Sequence, residues 1–271
     1  MKIVTLIPSA TEIVAFFGKK NNIIGKSHEC DYPKDLSNIV KLTEPKIKVD
    51  GSSKEIHQRI ESILEKSLSV YKVNIEKLKD LDPDFIVTQA HCEVCAVSFS
   101  HVENITKEHL GPKTKIISLQ PNTLKEVFDD LERVAKNLKI ESSKTKKLIN
   151  GLKKRIQNIQ IVSSELKKPK ILCIEWSEPL MAAGNWMPEM IEIAGGKDVL
   201  GKKGSDSHWI KFENIIESDH DFIIFIPCGF NLKQTKKDVD ELIKQNDKWK
   251  SLRAFKNKNF YITDGNQYFN R

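Results

Sequence analysis

The sequence predicts an α/β protein of two lobes, each a parallel sheet covered by helices, joined by one long helix. Three observations carry this. Short runs rich in Ile, Val and Phe alternate with stretches of helical period, the β-α-β rhythm of a parallel sheet. After residue 121 the rhythm stops for two successive helical stretches, and at residue 169 it restarts. The expected organisation is therefore an N-terminal lobe over 1–121, linking helices over 122–168 and a C-terminal lobe over 169–271.

Taken in order, IVTLIP (3–8) reads as the first strand and runs into SATEIVAFFG. There Ser9 and Glu12 have the spacing of a capping box, and Gly18 is a natural helix stop. NIIGKS (22–27) is a second strand. Residues 54–66 and 74–80 read as helices, the latter stopped by Asp82-Pro83-Asp84. FIVTQ (85–89) and KIISL (115–119) are strands of the buried type. One helix is expected from Thr123 to Leu138 and a longer one from Ser142 to Leu166, closed by Pro169. In the longer helix Leu148, Leu152, Ile156, Ile159 and Val162 recur at helical spacing. About 25 residues of helix extend roughly 37 Å, a domain diameter. The second lobe follows with KILCIEW (170–176), helix 187–195, DFIIFIP (221–227), helix 236–246 and FYITDG (260–265).

Composition excludes several classes. Of the 271 residues 39% are hydrophobic and 30% charged, as in an ordinary globular protein. No apolar run approaches the roughly 18 residues of a membrane span, so membrane insertion is not expected. MKIVTLIPSATE carries one Lys before a β-like run, and no small-residue cleavage site follows. It reads as a strand and not a signal peptide, which predicts a cytoplasmic protein, or a periplasmic or cell-surface one if a leader has been removed. The net charge is +7, densest at Lys144, Lys146, Lys147, Lys153, Lys154 and Arg155 beside Glu141. Without interleaved aromatics or a nucleic-acid motif, that cluster reads as a solvated helix face, and no nucleic-acid partner is expected. Five scattered cysteines resemble no disulfide framework. No G-x-S-x-G, P-loop or dinucleotide glycine loop occurs, so an enzyme is not expected.

Ligands of open parallel sheets bind beyond the carboxyl ends of the strands, and the unusual residues cluster there. Ser9 and Thr11 follow the first strand, and His28, Glu29, Cys30, Asp31, Tyr32 and Pro33 the second. Gln89, His91, Cys92 and Cys95 end FIVTQ, while Glu175 and Trp176 end KILCIEW. Cys228, Gly229 and Phe230 come after FIIFIP, and Asn266, Tyr268, Phe269 and Arg271 after the last strand. Tyr32, Trp176, Trp186, Trp209, Tyr268 and Phe269 all fall in expected loops or at strand ends, which favours a flat apolar ligand. Trp249 and Cys173 read as core. The Cys92-x-x-Cys95 pair is open to several readings: packed inert thiols, half of a metal site or a redox couple. With Cys30, Cys228 and His28 or His91 it would make a soft-metal or iron–sulfur site, the mark of a cytoplasmic metalloprotein or redox enzyme.

Longer motifs add a resemblance. MKIVTLIPSATEIVAFFG, SHECDYP and LKDLDPDFIVTQAHCEVCAV, followed by GNWMPEMIEIAGGKDVLG, SHWIKFENIIESDHDFIIFIPCGF and NFYITDGNQYFNR, resemble the cobalamin (vitamin B12) branch of the helical-backbone substrate-binding proteins of ABC importers. That class also holds ferric-siderophore and metal binding proteins. The resemblance covers most of the chain outside the Lys-rich linker. It implies two Rossmann-like α/β lobes bridged by a backbone helix, with a ligand cleft between lobes that rock only slightly. The implied ligand is cobalamin or a related corrinoid or metal chelate, and the implied partner, if the protein is exported, is an ABC permease. By position Tyr32, the Gln89–Cys92 loop with His91, Trp186, Trp209 and the Asn266–Arg271 segment would line the site. Trp176 joins them on its strand-end placement alone. The cysteines at 30, 92, 95 and 228 depart from the family pattern and mark a subgroup. Relatives typically continue past the position of Arg271 through a Pro and a final helix, so part of the second lobe is expected beyond the sequence.

Overall fold

A computed structural model describes residues 1–65, 70–90 and 97–269. By contact the chain forms two compact units. The first comprises Met1–Val49, Gln58–Pro121 and Glu126–Leu148, the second Asp50–His57, Asn122–Lys125 and Ile149–Arg271. The class is mixed α/β, as the alternating pattern predicts.

The chain runs through β1 (Ile3–Thr5), α1 (Pro8–Phe16), β2 (Ile23–Lys26), β3 (Val40–Lys41), β4 (Thr43–Pro45), α2 (Ser53–Leu64), β5 (Tyr71–Val73), α3 (Ile75–Leu81) and β6 (Phe85–Gln89). Next come α4 (Phe99–Ile105), a π-helical turn (Thr106–Leu110), β7 (Lys115–Leu119) and α5 (Leu124–Asn137). The main sheet of this unit has the order β3-β2-β1-β6-β7, all parallel, while β4 and β5 form a separate antiparallel pair. The strand order reverses between β1 and β6, which opens a crevice at their carboxyl ends. Neighbouring residues of one strand feed opposite cores. Val4 and Ile86 pack with Leu42, Val70 and Leu78, whereas Ile3 and Val87 pack with Val14, Ile117 and Val134. A period of two with both faces covered explains why β1 is apolar without alternation.

After α6 (Ser142–Ser164) the second unit continues with β8 (Lys170–Trp176), β9 (Met181–Ala182), α7 (Met187–Ile193), β10 (Lys197–Asp198), β11 (His208–Trp209), α8 (Phe212–Ser218) and β12 (Phe222–Phe225). It ends with α9 (Leu232–Gln245), α10 (Arg253–Lys256), β13 (Phe260–Ile262) and α11 (Gly265–Tyr268). The strand order is β11-β9-β8-β12-β13, with β10 also paired to β8. β8, β10, β12 and β13 are parallel, while β9 pairs antiparallel with β8 and β11 antiparallel with β9. Leu172, Ile174, Ile223 and Phe225 face a core closed by Val239 and Trp249. Cys173 and Ile226 turn to the other side, against Ala183, Met187 and Ile191.

The structure departs from expectation at particular points. The Ser9–Glu12 capping box does not form. Ile7 is the N-cap and Pro8 the first helical residue, so Ser9 lies inside the first turn. Proline's fixed φ starts a helix unaided, and it moves the cap upstream of the serine. The long helix ends at Ser164, before Pro169 is reached. Helix α9 begins at Leu232, four residues before the expected 236, because Asn231 caps it by accepting from the Gln234 amide. The pairs β4–β5 and β9–β11 are too short to show a period in sequence.

Candidate functional site

In the first unit the loop after β2 is a small polar construction. The Ser27 amide donates to the Thr5 carbonyl at 2.8 Å, holding the loop against β1. Lys26, 2% exposed, turns its ammonium back to donate to the Cys30 carbonyl at 2.8 Å. Thr43 on β4 is the hub. Its hydroxyl donates to Ser27 Oγ at 2.9 Å, accepts from the His28 amide at 3.0 Å and lies 2.7 Å from His28 Nδ1. Tyr71 on β5 donates to Glu29 Oε1 at 3.0 Å, its ring centroid 5.5 Å from that of His28. The pair β4–β5, which the sequence did not reveal, thus braces the His28–Glu29 segment.

This setting tunes the groups. Burial, and secondarily the Lys41 charge, lower the His28 pKa, favouring the neutral ring. Burial lifts the Glu29 carboxyl above the ordinary range, against the Tyr71 hydrogen bond and with the help of Asp31. Burial pushes the Cys30 thiol up to about 11, so it stays protonated at neutral pH, a poor nucleophile and metal ligand as it stands. Tyr32, next along, is 56% exposed. Gln89 is buried at the end of β6. His91, Cys92 and Cys95 lie outside the described residues, as does Arg271. Among the described residues no three His, Cys, Asp or Glu side chains gather as a metal site. A surface hollow of about 420 Å³ lined by Glu103, Thr106, Lys107 and Thr114 sits at the amino end of β7, not at this edge.

In the second unit the carboxyl edge is tied together from β8 outward. Glu175 accepts from Ser207 Oγ at 2.6 Å, and its carbonyl accepts from the Cys228 amide at 3.1 Å. The Asn266 amide donates to the Phe230 carbonyl at 3.1 Å. Gly265 allows the last segment to lie on the loop after β12, because a Cβ there would fall 2.1 Å from the Pro227 carbonyl oxygen. Phe269 packs on the Cys173–Ile226 cluster. Segment Asp50–His57 belongs to this unit too. The Ser53 amide donates to Asp238 at 2.7 Å, Lys54 pairs with Glu178 at 2.7 Å, and His57 meets the Trp209 ring edge-on at 5.3 Å.

The expected aromatic residues divide. Trp176 is 9% exposed, its ring centroid 5.3 Å from that of Phe230 and its Nε1 donating to the Glu178 carbonyl at 3.1 Å. Trp186 is half-buried at the N-cap of α7. Trp209 and Tyr268 are 55% and 68% exposed. With Tyr32 they are the three most exposed aromatic side chains among the described residues. Cys228 is half-buried and forms no disulfide, and Cys173 is core, its thiol pushed up to about 12 by burial. Lys26, Thr43 and Tyr71 escaped the sequence reading as functional candidates, and Glu29 entered it only as one of the polar groups after the second strand. The one signal for them was the density of polar groups in SHECD.

Two α/β units, each gathering polar and aromatic groups at the carboxyl edge of its sheet, have the architecture of a solute-binding protein. The chain belongs to the periplasmic binding protein family, whose profile matches residues 3–267. Members of that family are periplasmic or surface-exposed, so the cytoplasmic placement expected from the N-terminus finds no support there. The high-affinity heme uptake system protein IsdE of Staphylococcus aureus is 30% identical over 98 residues, 35% of this chain. That match spans a third of the length of the curated relative (33%). The fold is also that of the periplasmic heme binding protein HutB of Vibrio cholerae, with a TM-score of 0.72, 16% identity and coverage of 99% of this chain and 91% of that one. The vitamin B12 binding protein BtuF of Vibrio cholerae superposes with a TM-score of 0.66 at 16% identity, over 98% and 88% of the two chains. At such identity these structures establish the fold alone.

Proposed function

We propose that this protein binds a flat metal-carrying tetrapyrrole, in the first place cobalamin or a related corrinoid, and delivers it to an ABC permease outside the cytoplasmic membrane. One observation carries the reading. Tyr32 in the first unit and Trp209 and Tyr268 in the second keep their rings in solvent, although large aromatic surfaces usually enter a core. All three belong to the set that the motif resemblance assigns to the ligand. A corrin disc has broad apolar faces and an amide-bearing rim, which suits ring stacking from the aromatics and hydrogen bonding from Gln89 and Asn266. Heme is the second reading, favoured by the identity to IsdE.

Absorption titration of purified protein with hydroxocobalamin, cobinamide and hemin, followed by gel filtration, tests it. A corrin band retained at one per chain supports the first reading. Retention of hemin alone transfers the site to heme. No affinity for any of the three removes the proposal. Metal analysis of anaerobically purified protein checks the cysteine alternative, since stoichiometric iron or zinc lost on Cys92→Ser would make the thiols the site.

A further inference from the structure

The net charge of this chain has one address. Of its 44 cations and 37 acids, eight cations and one acid lie in residues 142–168, so this stretch carries +7, the net charge of the whole chain, and the remainder is balanced. The cations are Lys144, Lys146, Lys147, Lys153, Lys154, Arg155, Lys167 and Lys168, and all are exposed. Four aliphatic residues at the helix end add a second feature. Ile159, Ile161, Val162 and Leu166 are each more than half exposed. Ile159, Val162 and Leu166 follow one another at i, i+3 and i+7, so they share one face of α6 and its C-terminal turn. That face borders the buried one marked by Ile149, Leu152, Ile156 and Ser163.

We infer that this end of α6 is a docking surface for an anionic phospholipid leaflet. Six of these cations lie on α6 and two just past its end, and such a cluster matches a negatively charged surface and attracts it over a Debye length. Charge alone would fit any polyanion, but the aliphatic residues choose among them. Ile159, Val162 and Leu166 offer apolar surface to the acyl boundary, the arrangement of a helix lying in a membrane interface. A nucleic-acid surface would instead use aromatic rings for stacking, and residues 142–168 contain none. No helix among the described residues is long and apolar enough to cross a membrane. The inference does not rest on which ligand the protein carries.

Cosedimentation of the full chain with vesicles tests this, using phosphatidylcholine alone and phosphatidylcholine mixed equally with phosphatidylglycerol. Binding is expected on the mixed vesicles only and is expected to weaken as salt is raised. Two exposed-site variants read the two components, with circular dichroism confirming that each keeps its fold. Combining Lys154→Gln, Arg155→Gln, Lys167→Gln and Lys168→Gln is expected to lower partition by a hundredfold or more, on the order of tenfold or less for each cation. Ile159→Ser with Val162→Ser is expected to lower it about tenfold at unchanged charge. Absence of binding to the mixed vesicles overturns the inference, and so does equal binding to both compositions. Full retention by the aliphatic variant, with capture of a single-stranded RNA oligonucleotide lost in the charge variant, would make the stretch a polyanion site instead.

Discussion

The Tyr71 hydroxyl donates to the Glu29 carboxylate at 3.0 Å, linking strand β5 to the loop after β2. Glu29 is the more costly partner, because burial and Asp31 already disfavour its charge. With a folded pKa above the ordinary carboxylate value, its contribution to stability is fully present below that value. It is lost as pH rises through the folded pKa. Tyr71→Phe removes the opposing hydrogen bond, so the carboxyl should titrate higher still. The variant should lose about 1–2 kcal/mol near neutral pH and less in acid. Urea denaturation of both proteins across pH measures this, and an unchanged neutral-pH midpoint would refute it.

His220 makes the opposite prediction. It is 3% exposed, and burial pushes its pKa down to about 4, against the backbone carbonyl of Ile215. A histidine held neutral contributes stability that is complete above its ordinary pKa of 6.5 and is lost as pH falls through about 4. The contribution at stake is on the order of 3 kcal/mol. His220→Phe should therefore flatten the acid limb of the stability curve. Parallel limbs in the two proteins would show that His220 does not titrate in the fold.

Gly265 is required by close approach rather than by a positive φ. Its missing Cβ leaves room for the Pro227 carbonyl, on which the last described segment rests. Gly265→Ala should cost about 1–3 kcal/mol through forced displacement of that backbone. The drop should appear as a lower midpoint in thermal denaturation, while Gly229→Ala, with open space around it, is limited to its backbone strain at φ 75.

Tyr32 and Trp209 test the ligand reading without risk to the core, because both are exposed. Each change to Ala should weaken corrinoid binding by about tenfold, the value of one lost aromatic contact, with the fold unaltered. Trp176→Phe is the contrast. Its ring serves Phe230 and its Nε1 the Glu178 carbonyl, so that variant should lose stability before affinity. Titration calorimetry alongside thermal melts separates the two effects, and equal affinity in all three variants would remove these rings from the site.

The apolar period and the punctuation of the chain determined much by themselves. FIVTQ, KIISL and KILCIEW are strands over the expected residues, because a strand covered on both faces must be apolar throughout. Trp249 and Cys173 are core for the same reason, their surface being too apolar to leave in water. The alternation of elements, with its long central helix, was enough for the class of fold. What a strand-end aromatic does was beyond it. Trp176 and Trp209 look alike in sequence, yet one is enclosed by Phe230 and the other is left in solvent beside His57. The bracing of Glu29 by Tyr71, across 42 positions of chain, was equally hidden, as was the attachment of Asp50–His57 to the second unit. Local propensity acts over a few residues, whereas burial and hydrogen bonding depend on which distant segments arrive at the same place. Only the tertiary structure decides that, and with it which groups are left for a ligand.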